Sequence, residues 1–387
     1  MICFTLLKKL SNQLFLPQSI KTTKGLQGKD VQEFGSFTGE SINGEKAFYI
    51  SPRGRYFCGS RFLSQTPIYR IVRADDCRYS SEDVSVGRLV VRNVNASEEK
   101  DEVLEKMVPA DLMNGTIGGS HGWVATMDEY FVRLYDDLNP GASDSDPKRI
   151  VLGRPKTLPH CQTELVTNVA MSSSPEDEDC ILAVKFLGPQ LSFCRPAQQI
   201  RGYVEWVNIR IDDPCFFSSR VSYSERYKMF SMLASGGTYI GYWDPEKKDR
   251  SQNLSVCRSG LYTQFNQFEM QHTSNDCRSE LLVEGPTGET FIVNWWAGIF
   301  RRFMVYKIDE YMGIHTASFT KDIGDVCIFV SSKGQPFCLK ASLYGLASNC
   351  IYYGSDRVSG KVSIRDNVIV GRLGRSSAPY FIPPQSS

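Results

Sequence analysis

Over about three hundred residues this chain repeats one local pattern. Runs of four to eight residues rich in Val, Ile, Phe, Tyr and Trp are broken by clusters of Gly, Pro, Asn, Asp and Ser. Helical periodicity is nearly absent from this stretch. Short strands joined by tight turns are the all-β signature. Several hairpins can be read directly. AFYISPRGRYFCG (residues 47–59) turns at Pro52-Arg53-Gly54, and ELVTNVAM and CILAVKFLG flank the polar loop SSSPEDED. A turn at Gly188-Pro189-Gln190 leads into LSFCRP. YKMFSML and TYIGYWD flank Ala234-Ser235-Gly236-Gly237, SELLVEG and ETFIVNWW flank Pro286-Thr287-Gly288, and DVCIFVS and PFCLKAS flank Ser332-Lys333-Gly334-Gln335.

So many short strands must hide their edges, and barrels, sandwiches and propellers are the ways to do it. At this length a β-propeller fits best: about 300 residues at about 45 per four-stranded blade gives six or seven degenerate blades. A weak recurring theme is a strand ending in Trp or Tyr followed by Asp before a turn. Examples are Tyr135-Asp136-Asp137, Trp243-Asp244-Pro245 and Tyr306-Lys307-Ile308-Asp309. The pattern is weakest over residues 352–378. One segment, residues 98–107 (EEKDEVLEKM), reads as a solvated helix.

The N-terminus differs. MICFTLLKKLSNQLFLPQSIKTTKGLQGK has no acidic residue before Asp30 and carries Lys8, Lys9, Lys21, Lys24 and Lys29. Phe4, Leu7, Leu10 and Leu14 recur at helical spacing. A basic, acid-free, amphipathic segment is what a mitochondrial or chloroplast presequence needs, although such leaders favour arginine and the first arginine here is Arg53. The expected division is therefore residues 1–29 as a short helical organelle-targeting leader and residues 30–387 as the propeller domain. Lys8 and Lys9 interrupt the apolar run that a secretory signal requires, so the sequons at Asn95, Asn114 and Asn253 are incidental. No apolar run is long enough to form a membrane helix.

The 44 basic and 43 acidic residues nearly cancel, so any nucleic-acid or anionic-membrane site would need a local patch. The twelve cysteines are scattered with no C-x-x-C, and the four histidines lie far apart. Paired ligands at short spacing, the signature of a zinc site, are missing. Buried, reduced cysteines are expected, with no metal site and no cofactor.

The run SHGWVATMD, then RLYDDLNP, then LPHCQTELVTNVAMSSSPEDEDCILAVKFLGPQLSFCRP resembles the KIB-type β-propeller family, a plant domain-of-unknown-function group expanded in the mustard plants. MFSMLASGGTYIGYWD, ELLVEGPTGETFIVNWW, RRFMVYKIDE, KDIGDVCIFVSSKGQPFCLKAS and APYFIPP continue the likeness in order, over about residues 30–383. The resemblance implies a β-propeller. Many members of the family carry an F-box and look like substrate adaptors of ubiquitin ligases. One branch lacks the F-box and has an organelle-targeting leader, and this sequence is similar to that branch. The resemblance brings no catalytic residues. The segment Val108-Pro109-Ala110-Asp111-Leu112-Met113 imitates an F-box core, but the glycine-rich NGTIGGSHGW that follows is not helical.

Gly118-Gly119-Ser120-His121-Gly122 fits G-x-S-x-G, the nucleophile elbow of serine hydrolases. An elbow needs a helix after the serine. Here Trp123, Ala125 and Met127 alternate with Val124, Thr126 and Asp128, which is strand period. The glycines then serve a tight turn and Trp123 packs between blades. Gly285-Pro286-Thr287-Gly288-Glu289-Thr290 lacks the G-K-[ST] of a phosphate loop and reads as a hairpin turn. His160 and Cys161 are adjacent on a strand and face opposite sides. Asp136-Asp137 and the loop Glu176-Asp177-Glu178-Asp179 are cation candidates, but the second lacks the glycine and spacing of a calcium loop and reads as a solvated hairpin loop. Arg301-Arg302 beside Trp295-Trp296 is a weak nucleic-acid candidate.

The sequence thus predicts a non-enzymatic, monomeric β-propeller that binds a protein partner through its loops, in an organelle, the mitochondrion first and the chloroplast second. The alternatives are an F-box-like ubiquitin-ligase adaptor in the cytoplasm or nucleus, and a serine hydrolase using Ser120.

Overall fold

In the run Val326–Ser331 (VCIFVS) apolar residues stand at consecutive positions. Successive side chains of a strand point to opposite faces, so such a run is buried on both sides. Val326, Ile328 and Val330 pack with Leu281, Val293 and Trp295 on one side, and Cys327 and Phe329 pack with Ile68 and Phe381 on the other. Sheets sandwiched between two neighbours are what a propeller provides.

The computed structural model describes residues 67–384, apart from 80–84, 96–99, 114–115, 129–130, 160, 162–164, 201–202, 238, 247–252, 260–277, 297–301, 312–313, 356–357 and 375–379. The leader at 1–29 and the hairpin at 47–59 lie outside the described residues. No helix among them is long and apolar enough to cross a membrane.

The described residues form a six-bladed β-propeller. Blade 1 contains β1 (Tyr69–Tyr79), β2 (Ser85–Asn93) and β3 (Glu102–Pro109), and blade 2 contains β4 (Thr116–Ser120), β5 (Trp123–Asp128), β6 (Phe131–Tyr135) and β7 (Arg149–Gly153). Blade 3 has β8 (Val166–Met171), β9 (Leu182–Phe186) and β10 (Gln190–Cys194), then a small hairpin of β11 (Gln199–Ile200) and β12 (Tyr203–Val204), and finally β13 (Val207–Arg210). Blade 4 comprises β14 (Val221–Ser224), β15 (Met229–Leu233), β16 (Tyr239–Trp243) and β17 (Asn253–Ser259). Blade 5 comprises β18 (Arg278–Glu284), β19 (Thr290–Trp296), β20 (Arg302–Tyr311) and β21 (Ile314–Thr320). Blade 6 has β22 (Val326–Ser331), β23 (Phe337–Lys340), β24 (Cys350–Gly354), β25 (Ser359–Ser363) and β26 (Ile369–Gly374).

The chain end closes the ring. β27 (Phe381–Ile382) pairs antiparallel with β1, Tyr69 opposite Ile382 and Arg70 opposite Phe381, and becomes the innermost strand of blade 1. Tyr380, Phe381 and Ile382 are all buried. At about 1.5–3 kcal/mol for each large apolar side chain removed from water, two backbone pairs are enough to latch first blade to last.

Six hydrophobic clusters fill the six gaps between neighbouring blades. Trp123 lies in the gap between blades 2 and 3, with Ala125 and Leu134 on one side and Val169 and Met171 on the other. The hairpins expected at 164–188, 229–243, 278–296 and 326–340 are all present as antiparallel pairs. Cys180, Cys194, Cys327, Cys338 and Cys350 are free and buried, and Cys161 and Cys215 are free and half-buried.

Three expectations are corrected. Residues 102–107 of the segment read as a helix lie in strand β3, paired with β2. Lys106 and Val108 point inward while Glu105 and Met107 are exposed, and Lys106 Nζ donates to the Ala142 carbonyl at 2.9 Å. Pairing at a blade edge overrides the helical preference of a charge-rich run. Tyr306 and Asp309 lie inside β20 rather than at a strand end. The weak-pattern segment 352–378 contributes to three strands, the end of β24 with β25 and β26.

Candidate functional site: the mouth of the central channel

The GGSHGW stretch builds the first wall. β4 ends at Ser120, and Ser120 pairs with Trp123 across a two-residue loop. His121 and Gly122 both have positive φ, 52° and 79°. That is the type I′ hairpin, whose twist matches the flanking strands and whose second position favours glycine. Gly118 is required for a different reason: a Cβ there would lie 2.6 Å from Val169 Cγ2, so its absence lets β4 approach β8 around the axis.

The channel is filled by the chain itself. After β22, residues 332–336 run beside β4 before entering β23. Gly334 bridges Gly119 in parallel and the Gln335 amide donates to the Gly119 carbonyl at 2.8 Å. Lys333 Nζ donates to the Thr116 carbonyl at 2.8 Å. From blade 4, Arg220 Nη1 and Nη2 donate to the carbonyls of Ser331 and Gly334 at 3.2 and 2.8 Å. From blade 1, the Tyr380 hydroxyl reaches Thr116 Oγ1. Burial lowers the Arg220 pKa to about 10, which leaves it charged near neutral pH. Hydrogen bonds from a charged donor are the stronger kind, so Arg220 clamps the segment in place.

At the end where the innermost strands finish, this segment floors a cavity of about 320 Å3 to which all six blades contribute. Its walls include Trp123, Met171, Tyr223, Leu282, Phe337 and Ile382. Its charged groups are Glu225 and Glu284, with His121 beside them. Glu284 is held firmly: it accepts from the Ser224 hydroxyl and from the backbone amides of Glu225 and Arg226 at 2.9 and 3.4 Å. Arg226 turns its side chain to Glu310 instead, at 3.0 Å. Glu225 pairs with Lys228 at 2.7 Å on an exposed turn. Burial lowers the His121 pKa against the pull of Glu225 and Asp177, so the ring is neutral at pH 7.

Ser120 sits at this mouth, with a hydrogen-bond pattern opposite to that of a nucleophile. Its hydroxyl donates to Gln335 Oε1 at 2.8 Å, and its oxygen lies 2.8 Å from His121 Nδ1. A hydroxyl has one proton to give. With that proton on Gln335, His121 Nδ1 carries a hydrogen and donates to Ser120, whereas a general base would accept from it. A strand follows the serine where an elbow needs a helix.

The KIB1-4 beta-propeller family matches residues 95–371, well over half of the chain. The chain belongs to that family. No curated protein sequence matches it. Among solved structures, it is similar to a putative 6-phosphogluconolactonase from Bacteroides uniformis ATCC 8492, at 8% identity over 82% of this chain and 84% of that one, with a TM-score of 0.40. It is also similar to the dihydro-heme d1 dehydrogenase NirN in complex with DHE, at 10% identity over 86% and 77% with a TM-score of 0.38. The N-terminal domain of Nup159 follows at 12% identity over 68% and 64%, with a TM-score of 0.30.

In this KIB1-4 propeller the other sequence candidates are spent on structure. Residues 285–288 form the β18–β19 turn, with Gly288 at φ 93°. Asp136 accepts from the Lys148 amide at 2.8 Å, and Asp137 pairs with Arg149 at 2.8 Å. Glu176 pairs with Lys148. Trp295 and Trp296 are buried; Arg301 and the side chain of Arg302 lie outside the described residues. His315 packs against Tyr242 between blades 4 and 5, while His160 and His272 lie outside the described residues. Residues 110–113, the end of the F-box imitation, are a single 3-10 turn followed by β4. Sequence reasoning missed Arg220, Gln335 and Glu284, whose roles rest on partners 60 to 215 residues away or across the ring.

Proposed function

We propose that this chain is a non-enzymatic scaffold that docks a protein partner on the mouth of its central channel. One observation carries the reading: residues 332–336 fill the channel, held from blades 2 and 4, and leave a cavity at its mouth lined by residues of all six blades. A rigid disc with a closed bore offers its face rather than its interior, and variable turns on a fixed frame are where such folds place binding. The spent proton of Ser120 supports the same reading. The acid-free leader at residues 1–29 supports placing the scaffold in an organelle, the mitochondrion first.

Affinity capture from organelle extract tests the docking claim when the wild-type chain is run beside Glu225→Arg, a change on the exposed rim. A partner retained by wild type and lost from the variant is expected. A partner held equally by both would move the interface away from the mouth. Residues 1–40 fused to a fluorescent protein test the location: organellar signal is expected, and diffuse cytosolic and nuclear signal would favour the adaptor reading.

A further inference from the structure

We infer that the mouth cavity receives the side chain of a lysine or arginine presented by the docked protein. The inference rests on the mouth being the docking surface and names the chemistry it selects. The cavity's lining includes the carboxylates of Glu225 and Glu284 and no lysine or arginine. Glu284 is fixed by three donors, so its charge is preorganised, yet it forms no ion pair among the described residues. Arg226, whose backbone amide donates to Glu284, commits its side chain to Glu310. Glu225 has only Lys228, and the two side chains are 62% and 71% exposed, a surface pair that an incoming cation displaces at little cost.

The shape agrees with the charge. A volume of about 320 Å3 is at the low end of ligand pockets and accommodates one long side chain. Leu282, Tyr223, Phe337 and Pro336 line it, and the aliphatic stem of lysine or arginine packs on such walls while its charged head seeks carboxylates at the rim. The neutral His121 ring adds no repulsion. An acidic residue of a partner would meet the Glu284 carboxylate, which no cation pairs among the described residues, beside Glu225 with its exposed Lys228, so the site selects against it.

Selection of a displayed random-peptide library on the full chain, counter-selected on Glu225→Lys, tests this. The enriched peptides are expected to share one lysine or arginine. Replacing it by norleucine in the synthetic peptide should weaken binding by about tenfold or more, and Glu225→Gln or Glu284→Gln should reproduce part of that loss. Glu225→Gln changes an exposed residue and keeps the fold, so it remains informative if Glu284→Gln loosens the blade 4 turn. Mouth-dependent peptides that lack a basic residue, or that tolerate norleucine, overturn the cationic inference and leave the docking surface standing. Failure to enrich any mouth-dependent peptide overturns both.

Discussion

The Ser120 hydroxyl donates a hydrogen bond to Gln335 Oε1 and a strand follows it where an elbow needs a helix, and together these separate a hairpin residue from a nucleophile. Ser120→Ala should leave the chain as unreactive towards a fluorophosphonate as the wild type. It should lower stability by about 1 kcal/mol, the value of one lost hydrogen bond; a denaturant titration measures the second and gel fluorescence the first. Labelling that vanishes in the variant would restore the hydrolase. Lys185 offers a second test at this scale. It is fully buried in β9, with Nζ donating to the carbonyls of Gly188 and Phe217, each at 2.9 Å, and of Phe186. Burial pulls its pKa down to about 7, and the thiol of Cys161 opposes this only in part. The unfolded chain therefore binds the extra proton from the ordinary lysine range down to about pH 7. Its contribution is present at high pH and is lost as pH falls towards 7, by up to about 1 kcal/mol per pH unit. Between about pH 9 and pH 7, urea midpoints of the wild type should fall relative to those of Lys185→Met. Parallel pH profiles would contradict this account of the lysine.

Strands were the legible elements. Runs such as CIYYG and FIVNWW are apolar on both faces because each blade is covered twice, so composition alone marked them, and the glycine-bearing turns marked their ends. Residues 98–107 misled because Glu and Lys favour helices locally, while the pairing with β2 that decides the matter is a tertiary fact. The order β23-β22-β24 in blade 6, with β22 and β24 parallel, was not legible either, since a parallel pair requires a crossover that no local signal encodes. Two substitutions test the element-level packing. Phe329 stacks on Phe337 and Tyr352, and Phe329→Ala should cost about 3–5 kcal/mol. Gly118→Ala should cost about 1–3 kcal/mol, because its Cβ would meet Val169 Cγ2 at 2.6 Å and the Val169 amide nitrogen at 2.9 Å. Melting curves measure both, and a neutral Gly118→Ala would mean that β4 and β8 can part without penalty.

At the scale of the whole molecule, ring closure and channel filling are the features that sequence could not display. Only the structure shows Tyr380–Ile382 as the latch on β1. Truncation after residue 379 should remove β27 and replace one sharp unfolding transition with a broad, earlier one. Blades 4 and 5 merge further out, where β17 and β21 pair in parallel and cover each other's edges. The filled channel turns the disc into a platform, and the acidic mouth gives that platform one chemically distinct spot. Hydrogen exchange of the captured complex, compared with the free chain, tests this most directly. Slowed exchange should concentrate in peptides covering residues 119–124, 222–228 and 335–338, with the outer strands unchanged. Protection confined to the outer blade edges, or none at these three segments, would contradict docking at the mouth.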